Sequence, residues 1–187
     1  HVVTRRQRQM CIRDSFKTVS EIMSAWPKGT TADLGLHVFS QTREKIFCES
    51  AVGMIDLILC KEQLTDINSL VRHSSSWVVN CQYIDDTDYQ ILLVIWLEEV
   101  LYNLEVNQQL LVDCQVKLIQ FEEIIQCESH VSWVNSNDVN KELEIKAITS
   151  HELVLKLLNK DEIITPEDDD VPQFVGPGWY SSVLFDI

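Results

Sequence analysis

The feature that most constrains this chain is the run from Asp88 to Leu104. Leu93, Leu97, Val100 and Leu104 recur at helical spacing, and Leu92, Trp96 and Leu101 widen the row into a broad apolar stripe. A stripe that wide must be buried against other elements, so it predicts a helix at the centre of a core. Trp96 within it reads as core rather than as the wall of a ligand pocket.

The period changes on either side. Leu34, Leu36 and Val38 alternate within Thr30 to Phe39, which predicts a short strand after a turn at Trp26-Pro27-Lys28-Gly29. Thr42 then reads as an N-cap, and Phe47, Ala51, Met54 and Ile58 predict an amphipathic helix from about Thr42 to Leu59. Alternation returns at Trp77 to Tyr83, Leu111 to Leu118 and Ile125 to Trp133. Glu144 to Thr149 and Glu152 to Leu158 are expected as separate strands, and Trp179 to Ile187 as the last. This order predicts an α+β fold, a mostly antiparallel sheet with two amphipathic helices packed on one face.

Two segments are set apart. Residues 1–15 carry four Arg against one acid, lack an initiator Met and show no periodicity. They resemble translated adapter sequence, are expected to be foreign or disordered, and leave 16–187 as a single domain. Between Lys160 and Pro177 lies an acidic stretch, including Glu167, Asp168, Asp169 and Asp170, expected as a solvated loop insertion.

The 187 residues carry 29 acidic against 15 basic side chains, a formal net charge of −14. Nucleic acid is held through clustered Lys and Arg, so the balance argues against a direct grip on RNA or DNA. The longest apolar run, Ile91 to Leu97, is too short to span a bilayer, and no signal peptide is evident, which predicts a cytoplasmic protein without membrane contact. The six cysteines never fall as C-x-x-C and have no nearby His at ligand spacing, so they read as small buried hydrophobes of a reducing compartment. No phosphate loop, dinucleotide fingerprint, nucleophile elbow or H-E-x-x-H is present.

Four separated blocks carry a resemblance. Thr30-Thr31-Ala32-Asp33-Leu34-Gly35, followed by Thr42, Phe47, Ala51 and Met54, is similar to the H-T-A-D-V-G block and first helix of the archease family. Leu92 to Tyr102 resembles its L-L-x-x-W-L-N/E-E-L-L-Y/F block, Glu144 to His151 its V-K-A-V-T-Y-H block, and Val183 to Ile187 its V-I-F-D-I block. Thr30 stands where the family usually has His, and Ser150 where it has Tyr.

The resemblance implies an accessory factor that promotes guanylylation and multiple turnover of an RtcB-type GTP-dependent RNA ligase in tRNA splicing or RNA repair. RNA would then be met only through the ligase. It also implies a divalent metal, Ca²⁺ or Mg²⁺, held by Asp33, Asp186 and the carboxylate of Ile187, with Lys146 and His151 as further functional candidates. Such oxygen donors suit hard cations. The competing reading of Lys146 is a strand lysine paired with Glu144. Two other functions compete with the accessory one: a metal-dependent hydrolase or phosphotransferase on the same carboxylates, and a chaperone-like binding module. Glu98, Glu99 and Glu105 read either as a solvated helix face or as an acidic patch for a basic ligase surface.

Overall fold

The computed structural model describes residues 24–29, 34–60, 67–166 and 171–187. Residues 1–15 and the acidic positions 167–170 lie outside them. The fold is α+β, with two long helices and antiparallel strand pairing throughout the described sheets.

A four-stranded sheet is built from β1 (Ser24–Gly29), β2 (Leu34–Ser40), β6 (Ala147–Leu158) and β9 (Gly178–Asp186) in the order β1-β2-β9-β6. A three-stranded sheet has β5 (Ile124–Asn135) between β3 (His73–Gln82) and β4 (Gln109–Gln120). The single sheet expected from the sequence is thus divided in two, and helices α1 (Arg43–Ile58) and α2 (Asp88–Glu105) pack against both parts. Each sheet turns one face to the helices, and one core joins them, drawing Leu36, Val183 and Phe185 from the first sheet and Trp77, Cys127 and Val131 from the second.

Helix α1 starts where the sequence places it. The Thr42 hydroxyl accepts from the Lys45 amide at 3.3 Å, satisfying one of the donors that a helix start leaves without an intrahelical partner. At the start of α2 the Asp88 carboxylate reaches back to the amides of Ile84 and Asp85 at 2.6 and 3.0 Å. The row that predicts this helix is wholly buried: Leu93, Leu97, Val100 and Leu104 are at most 1% exposed. Trp96 sits among them and donates its indole N–H to the Phe47 carbonyl at 3.1 Å, tying α2 to α1.

The strands depart from expectation in two places. Trp26 to Gly29 is not a turn but part of β1, paired with β2 from Ser24↔Phe39 to Gly29↔Leu34. Pro27 is tolerated because β1 is the sheet's edge, where a missing N–H breaks no inner ladder. The two strands expected over 144–158 are one, β6, which begins at Ala147 and carries a register shift between Thr149 and Val154. Glu152 within the shift has φ 53°, so the interruption in the alternation marks a bulge rather than a strand boundary.

The described part of the 160–177 segment is anchored, not simply solvated. Ile163–Ile164 (β7) pairs with Phe174–Val175 (β8), and Phe174 and Val171 are buried with Leu158 and Tyr180 in a second, smaller cluster. Trp26 and Phe39 pack on it, on the face of the four-stranded sheet turned away from the helices.

Candidate functional site

The C-terminal end of β9 is where the described candidate residues meet. Val183 and Phe185 point into the main core, so the period of two sends Leu184 and Asp186 to the opposite face. Asp186, at the strand's last position, is exposed and stands opposite Ala147 of β6.

Lys146 immediately precedes β6, outside the strand expected over Glu144 to Thr149. Its amide donates to the Asp186 carbonyl at 2.8 Å, extending the β6–β9 pairing by one bond. Its ammonium donates to the Ile187 main-chain oxygen at 2.9 Å. The side chain therefore turns to the end of β9, not to Glu144. A lysine clamped to both residues that follow Phe185 holds the segment bearing the Asp186 carboxylate against the sheet.

Asp33 lies outside the described residues. Its chain neighbour Leu34 is paired with Phe185, the neighbour of Asp186. Among the described residues no three His, Cys, Asp or Glu side chains gather to hold a metal ion. The donors described at this end are oxygens alone, the Asp186 carboxylate and the Ile187 main-chain oxygen, a chemistry that matches a hard cation and not a soft one.

His151 belongs to the bulge of β6, not to a strand start. Its amide donates to the Thr149 hydroxyl at 3.0 Å, and its Nε2 lies 3.7 Å from Glu152 Oε1, with the ring largely exposed. These contacts engage it with its own strand.

One relationship escapes the sequence altogether. Lys28 of β1 donates to Glu152 Oε2 at 3.0 Å, joining the two edges of the four-stranded sheet. Lys28, Gly35 and Leu184 share a row, and a Cβ on Gly35 would come within 3.1 Å of the Lys28 Cβ and 2.7 Å of Leu184 Cδ2. The missing side chain leaves the lysine its path. Hydrogen bonding to Lys28 and its charge hold the Glu152 carboxyl below the ordinary range. Leu184 of that row stands two residues before Asp186 on β9, on the same face. On that face His37 Nδ1 and the Tyr180 hydroxyl are 2.7 Å apart and buried, and burial raises the Tyr180 phenol above its usual value.

On its helix side, the segment Glu144 to Ile148 forms one wall of an open groove of about 460 Å³, with Glu98, Tyr102 and Glu105 of α2 on the other. Lys146 thus belongs to both the groove and the end of β9.

Comparison with known proteins agrees with this architecture. The profile described as "Archease protein family (MTH1598/TM1083)" matches residues 28–187. Protein archease of Methanosarcina barkeri (strain Fusaro / DSM 804) is 26% identical over 160 residues, 84% of this chain and 91% of that protein. The solution structure of Methanobacterium thermoautotrophicum protein 1598 superposes with a TM-score of 0.58 at 16% identity, covering 87% of this chain and 98% of that one, a likeness of fold. With the family profile spanning both helices and both sheets, the chain belongs to the archease family.

Proposed function

We propose that this protein is an accessory factor of an RtcB-type GTP-dependent RNA ligase, promoting its guanylylation and turnover without itself joining RNA. Family membership supports an accessory role in general rather than a catalytic one. The observation that carries the finer reading is the double clamp of Lys146 on Asp186 and Ile187. It presents an exposed carboxylate on a rigid strand end, beside the pairing of Leu34 with Phe185 that leaves Asp33 one peptide bond away in sequence.

In this reading Asp33, Asp186 and Ile187 hold a divalent cation, Ca²⁺ or Mg²⁺. When bound, the ion supplies positive charge for phosphate oxygens of the ligase's nucleotide. The protein's part is to hold the oxygen donors in place. Lys146 neutralises part of the negative charge at the Ile187 oxygen and fixes its direction, while β2 and β9, hydrogen-bonded along seven residue pairs, provide the stiff base. The partner is the ligase, and RNA is met only through it. The compartment is the cytoplasm, in keeping with the absence, among the described residues, of a helix long and apolar enough to cross a membrane.

Single-turnover guanylylation of a cognate ligase, with GTP and divalent metal, tests the proposal. The expected result is acceleration by the wild-type chain that is lost in Asp186→Ala, with circular dichroism unchanged because Asp186 is exposed. Equal acceleration by Asp186→Ala and Asp33→Ala would remove the metal site from the mechanism. No acceleration by the wild-type chain, with the ligase active alone, would overturn the function.

A further inference from the structure

Helix α2 is buried on one side and carries an unusual outer row on the other. Ile91, Tyr102 and Val106, the last just past the helix, are 52%, 53% and 59% exposed. Ile91, Ile95, Glu98 and Tyr102 follow one another at spacings of four, three and four, which puts them on one face, with Ile95 half-buried against the main core and the other three exposed. Large apolar side chains aligned on an outward face and rimmed by acids are the anatomy of a protein contact rather than of a solvated helix.

The groove against Glu144 to Ile148 continues that row. Its apolar part is exposed Tyr102, half-buried Leu101 and the buried Ile145 and Ile148 at its floor, and its rim carries Glu98, Glu105 and Glu144. Lys141 neutralises Glu105 at 3.0 Å. Among the described residues Glu98 and Glu144 have no cationic partner, and the groove's own lysine, Lys146, is spent on Ile187. The rim therefore keeps two carboxylates unmatched on a chain already at −14.

We propose that this groove and the outer row of α2 form the docking surface for a basic segment of the protein partner, one that places Lys or Arg against Glu98 and Glu144 and an apolar side chain beside Tyr102. The inference rests on the accessory function proposed above and names where the ligase grips. Charge complementarity selects the occupant: an acidic or neutral segment gains nothing from the rim, and a second copy of a chain this acidic is repelled. Position gives the surface its purpose. Because Lys146 and Ala147 line the groove while Lys146 binds Ile187 and Ala147 pairs with Asp186, a segment seated there is held next to the end of β9.

The test is the affinity of the full chain for the cognate ligase at low and at physiological ionic strength. Glu98→Lys with Glu144→Lys is expected to weaken binding by about tenfold or more at low salt and to flatten its salt dependence. Tyr102→Ala is expected to weaken binding at both ionic strengths, and Asp161→Lys, just past the end of β6 opposite to the groove, to leave it unchanged. At saturating concentration the groove variants should still accelerate guanylylation, whereas Asp186→Ala should bind and fail to accelerate. Wild-type affinity in both groove variants, with the wild-type chain binding and accelerating, overturns the docking surface alone. Failure of the wild-type chain to bind the ligase overturns the functional reading, and this one with it.

Discussion

Lys28 and Glu152 meet at 3.0 Å although β2 and β9 lie between the strands that carry them, and the contact is possible because position 35 has no side chain. A Cβ there would stand 2.7 Å from Leu184 Cδ2 and 2.9 Å from the Val183 carbonyl oxygen, and the backbone atom cannot give way cheaply. Gly35→Ala is expected to destabilise the fold by about 1–3 kcal/mol in urea denaturation. A variant as stable as the wild type would mean that the strands separate without cost.

The Glu152 carboxyl is held below its ordinary value by Lys28, so its stabilising effect has a defined pH sense. A depressed carboxylate contributes above the unfolded-state value and loses that contribution as pH falls through the folded one. Glu152→Gln should therefore lower the melting temperature slightly at pH 7, and the gap to wild type should close on acidification through the carboxylate range. A gap that widens in acid would refute this account of the pair.

Trp96 is fully buried and gives its indole proton to Phe47. Trp96→Phe removes that hydrogen bond between the helices and leaves unfilled volume at the centre of the core. The expected cost is about 2–4 kcal/mol by chemical denaturation. A loss below about 0.5 kcal/mol would show that the helices do not depend on this bond.

The thiols should separate by depth. Burial pushes Cys127 up to about 12, and Cys114, also buried, is raised well above its usual value by a hydrogen bond with Cys48 that favours its neutral thiol and by desolvation. At pH 8 roughly one part in 10,000 of Cys127 is thiolate. Iodoacetamide followed by peptide mass mapping should modify half-buried Cys48 and Cys60 in the native protein and reach Cys114 and Cys127 only on unfolding. Native-state labelling of Cys127 at the denatured rate would contradict the packing.

Lys146→Ala should change stability little, because an exposed lysine contact of this kind is worth under about 1 kcal/mol. Its effect should appear in function: slower guanylylation of the ligase at saturating accessory protein, partly restored by Lys146→Arg, which keeps the charge and a donor. Full activity of Lys146→Ala would leave the lysine with a purely local role.

The helices and the pairing faces of β2 and β9 were legible in the sequence because burial imposes its period on the residues. Leu93, Leu97, Val100 and Leu104 announce α2 without any knowledge of what they pack against. What could not be read is settled by tertiary pairing. Trp26-Pro27-Lys28-Gly29 has the composition of a turn and becomes an edge strand because β2 offers it a ladder. The break near Ser150 signals a bulge as well as it signals two strands, and only β9 decides between them. The division into two sheets leaves no trace in local periodicity. At the candidate site, the resemblance to the family, not spacing, points to Asp186 and Lys146. The Lys28–Glu152 contact, between residues 124 positions apart, had no signal at all.

The placement of β9 between β2 and β6 has a consequence for how the chain is made. Leu34 must wait for Phe185, its partner across nearly the whole sequence, and β6 waits for the same strand. On the ribosome the early strands β1 and β2 can pair while the four-stranded sheet stays open, its two inner edges unsatisfied until residues 178–186 emerge. Asp186 is thus assembled into place by the same event that closes the sheet, so a nascent chain interrupted before Gly178 carries neither the finished sheet nor the carboxylate.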